Sequence, residues 1–85
     1  MVPIMRVTVH LHSYFKDLAG RAELVEIVAD GTTLDSLYRN LIARYPKLAT
    51  MRKSTLMAVG VEYQPHTYVL KEGDDVSLFP PVQGG

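Results

Sequence analysis

The chain has no cysteine. Disulfides therefore cannot brace the fold, and no thiol serves as nucleophile, redox centre or metal ligand. That composition suits a reducing compartment, so cytoplasmic residence is the expectation. Neither sign of charge is in excess. Nine Lys and Arg face nine Asp and Glu, for a formal net charge of zero. This balance argues against nucleic acid held through a broad basic surface and against attraction to an anionic membrane. No apolar run approaches the roughly 18 residues that a membrane-spanning helix needs. The opening MVPIMR lacks the basic-then-apolar layout of a secretion signal. No Ser-His-Asp set, phosphate-binding loop or paired carboxylates stand out along the chain.

What is present is a small globular composition. The 85 residues are 47% hydrophobic, too apolar for a disordered chain. A domain of this size buries only about 60–65% of its unfolded surface, so the core must be compact. A single domain is expected over residues 1–85, folded from about residue 5 to residue 79, with a tail over residues 80–85.

The periodicities predict strand, strand, helix, strand, short strand, strand. MRVTVHLH alternates strictly, with Met5, Val7, Val9 and Leu11 on one side and Arg6, Thr8, His10 and His12 on the other. SYFKDLAG fits a short helix capped by Ser13, with Phe15 and Leu18 inward and Gly20 at its end. ELVEIVA reads as a second strand with Val25 and Ile27 toward the core, although Leu24 and Val28 blur the alternation. In DGTTLDSLYRNLIARYP, residues Leu34, Leu37, Tyr38, Leu41, Ile42 and Tyr45 form one helical stripe. Thr33 is the expected N-cap, and Pro46 the stop. KLATMRKST reads as a polar connection, and Met51–Lys53 as a small basic loop. LMAVGVEY reads as a strand entering a tight turn near Gly60, QPHTYVL as a short strand or helical turn with Leu70 inward, and DVSLF as the last strand. One helix covers only one face of a sheet. The expected fold is α+β: a mixed sheet of four to five strands packed on one main helix, its other face partly bare.

The chain closes with FPPVQGG. Pro80 and Pro81 lack N–H groups, so they end strand pairing after Phe79 and stiffen the exit. Gly84 and Gly85 leave a terminal carboxylate sterically open and let the backbone pass a narrow channel. Chain ends are often merely frayed, but this layout also suits a carboxylate delivered into another protein's active site. Phe79, an aromatic where the tail leaves the sheet, is read as partner-facing, with a place in the core as the alternative.

Taken together, RVTVHLHSYFKDLAG, DGTTLDSL, LIARYP, LMAVGVEY and LKEGDDVSLFPPVQGG resemble the MoaD/ThiS sulfur-carrier family, whose members are ubiquitin-like β-grasp proteins. The resemblance runs from Met5 to the end and is most specific over GDDVSLFPPVQGG. Within the family it lies nearest the small subunits of molybdopterin synthase. It implies that an activating enzyme of the ubiquitin-activating type uses ATP to adenylate Gly85. Sulfur from a donor then replaces AMP, and the resulting thiocarboxylate serves a pterin precursor inside a large synthase subunit, in a heterotetramer. It implies no permanently bound cofactor. Phe79, Pro80, Pro81, Val82, Gln83 and Gly84 become the tail and partner-binding residues, and Gly85 the reacting one. The sequence departs from the family at Gln83, where Ser or Thr is frequent, and at Tyr14, where Arg is. A ubiquitin-like protein modifier and a sulfur carrier for tRNA thiolation would share the same fold and tail, and a bare interaction module would not need the tail.

Other candidates are weaker. His10 and His12 lie two apart on one strand face, but two ligands do not make a metal site, and an exposed polar strand face is the better reading. His66 is read as a loop residue, and Tyr63 and Tyr68 as packing residues.

Overall fold

A computed structural model describes residues 3–49 and 55–80. The chain runs β1 (Ile4–Leu11), α1 (Tyr14–Ala19), β2 (Glu23–Ala29), α2 (Leu34–Arg44), β3 (Leu56–Val59), β4 (Glu62–Tyr63) and β5 (Asp75–Phe79). The strands form one mixed sheet in the order β2-β1-β5-β3-β4. β1 is central. It pairs antiparallel with β2 and parallel with β5, which in turn pairs antiparallel with β3. β3 and β4 make a hairpin through Gly60, whose φ of 63° is the left-handed conformation that glycine adopts without penalty.

The strict alternation of β1 sends Met5, Val7, Val9 and Leu11 into the core, where they meet Val76 and Leu78 of β5 and Met57 of β3. Leu34, Leu37, Tyr38 and Leu41 of α2 close over them, with Ile42 and Tyr45 at the margin, as the helical stripe requires. Thr33 caps α2, its hydroxyl accepting the Ser36 N–H at 3.2 Å. The next orphan amides of that helix end are satisfied from the 66–70 segment: Leu34 donates to the Tyr68 carbonyl and Asp35 to that of His66, both at 3.0 Å. This segment meets Thr33 through an isolated bridge at Val69, and Leu70 is buried, as expected.

Three local expectations are corrected. In β2 it is Leu24, Glu26 and Val28 that turn inward, while Val25 and Ile27 remain 56% and 55% exposed. The reason is register. The Leu11 N–H donates to the Ala22 carbonyl at 2.8 Å, which sets Leu24 opposite Val9 and Glu26 opposite Val7. A slip of one residue would invert every side chain. Glu26 is tolerated at the core's rim because Arg44, in the last turn of α2, reaches across to form an ion pair with its carboxylate. Second, the connection after α2 is not merely polar. Residues 46–49 form a 3₁₀ turn that buries Leu48 completely. The Tyr38 hydroxyl donates to the Leu48 carbonyl at 2.7 Å and accepts from the Thr55 hydroxyl at 3.2 Å. The basic residues Arg52 and Lys53, with Met51, lie outside the described residues. Third, Ser13 makes no side-chain cap on α1, although Gly20 does end that helix in the left-handed conformation.

Leu37→Ala and Leu41→Ala should each cost about 2–5 kcal/mol in denaturant unfolding, since both side chains are sealed inside the helix–sheet interface. Unfolding should also carry a signature of Tyr38. Burial raises its phenol above the usual value near 10, and the Thr55 hydrogen bond only partly opposes this. Above about pH 10 the unfolded chain loses that proton first, so it binds fewer protons than the folded state and stability falls as pH rises. Tyr38→Phe should flatten this alkaline decline while lowering stability at neutral pH by about 1–3 kcal/mol, because a buried carbonyl loses its donor. Urea titrations at several alkaline pH values measure both effects.

Candidate functional site

The candidate site lies on the bare face of the sheet. β5 runs beside β1 with Thr8 opposite Asp75, His10 opposite Ser77 and Leu11 opposite Leu78. The ladder extends one step further, where the His12 N–H donates to the Leu78 carbonyl at 3.3 Å. There β5 ends at Phe79, and Pro80, having no N–H, cannot donate a further ladder bond.

Phe79 is half-buried, but not in the main core. The His12 ring stacks on it, centroids 4.4 Å apart and planes 12° from parallel. Tyr63 approaches edge-on at 6.2 Å and 64°. Leu56, 43% exposed, sits opposite Phe79 in the β3–β5 register. Aromatic pairs of such geometry contribute about 0.5–1.5 kcal/mol beyond their buried area. The result is an aromatic cluster at the root of the tail, on the face that α2 leaves uncovered. Tyr63 is therefore no packing residue of the core: at 69% exposed it belongs to this outer cluster. Tyr68 does pack against the core, and its hydroxyl donates to Asp74 at 3.2 Å. Desolvation, with the charge of Asp74, raises its phenol above the ordinary value.

The two histidines of β1 and its extension have separate surroundings. His10 Nε2 lies 3.3 Å from Asp75 Oδ1, whereas His12 faces Phe79, and its Nε2 is buried without a hydrogen-bond partner. Among the described residues no three His, Cys, Asp or Glu side chains gather as a metal site. His66 places its Nε2 3.1 Å from the Thr55 carbonyl, a loop-to-loop contact away from the cluster. Pro81, Val82, Gln83, Gly84 and Gly85 lie outside the described residues.

The turn that follows His12 is unusual. The Phe15 N–H donates to the His12 carbonyl at 3.1 Å, closing a turn in which Ser13 has φ 54° and ψ −129°. Ser13 is the only non-glycine with positive φ among the described residues. The turn is anchored from both sides, by fully buried Phe15 and by the stacked His12. Periodicity had no means of showing this, because Ser13 lies where the strand ends and its strain depends on both anchors.

The profile of the ThiS family matches residues 9–85. The chain belongs to the ThiS family. Two relatives of this ThiS-family chain are named molybdopterin synthase sulfur carrier subunits. That of Chlamydomonas reinhardtii is 31% identical, covering 95% of this chain and all of its own length. That of Homo sapiens is 30% identical, covering 100% of both chains. Among solved structures, a putative molybdopterin converting factor, subunit 1, from Pyrococcus furiosus superposes with a TM-score of 0.82 at 27% identity, over 92% of this chain and 99% of that one. Caldiarchaeum subterraneum ubiquitin gives a TM-score of 0.66 at 16% identity over 98% of this chain and 100% of its own. The fold of this ThiS-family chain is a ubiquitin-like β-grasp, as expected from its sequence.

In this ThiS-family chain, Ser13→Gly should raise stability by about 1 kcal/mol. The substitution relieves a backbone strain of order 1–3 kcal/mol and returns part of it as unfolded-state entropy. Thermal melting of the two proteins side by side measures the difference.

Proposed function

We propose that this chain is the sulfur-carrier subunit of a molybdopterin synthase, acting in the cytoplasm through a free carboxylate at Gly85. The observation that carries the reading is the continuity of β5 with Phe79, Pro80, Pro81 and the closing Gly84-Gly85, on a domain whose relatives bear that name. The chain has no cysteine to carry sulfur on a side chain, so the proposed cargo rides on the terminal acyl group. The chain supplies a carrier body and a deliverable acyl group, and the chemistry belongs to its partners.

A carboxylate is a poor electrophile until a leaving group is attached. In the proposed cycle an adenylating enzyme of the ubiquitin-activating type lets the Gly85 carboxylate attack the α-phosphate of ATP, releasing pyrophosphate. A donor at the oxidation level of sulfide then attacks the acyl carbon, AMP leaves, and a thiocarboxylate remains. Within the large synthase subunit the thiocarboxylate sulfur attacks an oxygen-bearing carbon of a pterin precursor, that oxygen leaves as water, and a thioester joins the two. Water cleaves the acyl–sulfur bond, restoring the Gly85 carboxylate. Pro80 and Pro81 lack the N–H groups that would extend the sheet, and residues without bulk at the chain end suit passage through a narrow channel. The aromatic cluster around Phe79, with Leu56, is the surface on which both partners would seat. A heterotetramer of two carriers and two large subunits is the proposed assembly. Protein conjugation or tRNA thiolation would employ the same tail, but the Phe-Pro-Pro context favours the synthase.

The test is intact-mass spectrometry after incubation with the activating enzyme, ATP and a sulfur donor. One oxygen of the chain should be exchanged for sulfur at Gly85, and the large subunit should then discharge it onto the pterin acceptor. Deletion of Gly84 and Gly85 should leave the melting temperature unchanged and abolish the exchange. One residue added after Gly85 displaces the carboxylate by about 3.3–3.6 Å, and errors near 1 Å can cost roughly 100-fold in rate. Sulfur acquired and passed on by either variant would overturn the terminal-carboxylate mechanism, and a ladder of lysine-linked adducts in lysate would select the modifier reading.

A further inference from the structure

We infer that His12 is a positioning residue for sulfur loading: by stacking on Phe79 it fixes the direction in which the tail leaves the sheet. The inference rests on the sulfur-carrier reading for its activity measurement, and on the described residues alone for its geometry.

Three observations meet at this point. The first is the register. His12 and Phe79 are adjacent across the last step of the β1–β5 pair, the only parallel pair among the described residues, so both chain segments leave the ladder at the same end and side by side. The second is the contact itself. The rings lie nearly parallel at 4.4 Å, while Tyr63 bounds Phe79 from another side. His12 Nε2 is buried without a partner, so the ring is held by stacking and not by a hydrogen bond at that nitrogen. The third is the backbone behind His12. Ser13 is held at φ 54°, and the turn is closed by Phe15, fully buried in the core. This turn ties His12 to the rigid body, and His12 in turn restrains the residue from which the tail departs. Phe79 directly precedes Pro80 and Pro81, and the fixed φ of proline limits the freedom of the chain just beyond the ring. In the sulfur-carrier reading, the orientation of Phe79 sets where the tail starts and so how often the acyl carbon reaches the partner's active site.

The experiment uses the full chain with the activating enzyme, ATP and sodium sulfide as the donor. It compares His12→Ala, His12→Phe, Phe79→Ala and the double variant His12→Ala/Phe79→Ala. His12→Ala should lower kcat for thiocarboxylate formation by about 10-fold or more while KM changes by less than about threefold, because the tail is misdirected while the remaining docking surface is intact. His12→Phe keeps a stacking ring, removes the orphan nitrogen and should restore the wild-type kcat. In the Phe79→Ala background, His12→Ala should have little further effect, since it acts through that ring. Residual dipolar couplings of the Phe79 amide and ring carbons, measured in the free chain, should change in His12→Ala and not in His12→Phe. Wild-type kinetics in His12→Ala, equal losses in both backgrounds, or failure of His12→Phe to rescue would each overturn the inference. Should the wild-type chain take up no sulfur at all, the sulfur-carrier reading fails, and unchanged couplings at Phe79 in His12→Ala would then refute the positioning role independently.

Discussion

The parallel pairing of β1 with β5 is the constraint on which the rest depends. Parallel neighbours cannot be joined by a tight turn, so everything between them, from α1 through β4, serves as the crossover. That crossover carries α2, the only long helix among the described residues, and lays it over one face of the sheet. Because β1 and β5 run in the same direction, they also finish at the same end. The exit of the tail and the start of the β1–α1 turn thus become neighbours, although 67 positions separate His12 from Phe79 in the chain.

One-sided coverage then divides the molecule by task. The helix side holds the sealed residues: Val7 and Val9 of β1, Val76 of β5, and Tyr38, Leu34, Leu37 and Leu41 of α2. These side chains decide stability, and a small domain has few to spare. The uncovered side holds Val25 and Ile27 toward the β2 edge, and Leu56, Tyr63 and Phe79 around the tail. Between them lies a polar strip with His10 and Asp75. The bare face carries no load for the core, so its aromatic end is free to be specialised for contact. The backbone strain at Ser13 also falls at this end, beside the site and away from the helix–sheet interface.

Much of this could be read directly from the residues. β1 alternates strictly from Met5 onward, so its inward set was unambiguous, and α2 shows an uninterrupted stripe with a capping threonine and a terminating proline. The Pro-Pro and Gly-Gly pairs marked the tail because their backbone properties are local. β2 was misread for a physical reason. ELVEIVA carries apolar residues in both phases of its alternation, and only a partner strand can choose between them. Leu48 was missed because a lone leucine in a polar stretch has no period, and the Tyr38 hydroxyl that meets its carbonyl comes from ten positions away. Tyr63 was assigned to packing because residue type alone does not tell which face of a sheet is covered.

The sequence by itself determined the long strands and the main helix, the side of that helix that is buried, the absence of cysteine chemistry and the proline and glycine composition of the tail. Each of these follows from side-chain periodicity or from the backbone properties of proline and glycine, which act over a few residues. Tertiary structure alone decided the register of β2, the inward turn of Glu26 with its Arg44 partner, and the meeting of His12 with Phe79. Those outcomes depend on hydrogen-bonded strands distant in the chain, and no local preference of His12 or Phe79 encodes which strand will lie beside it.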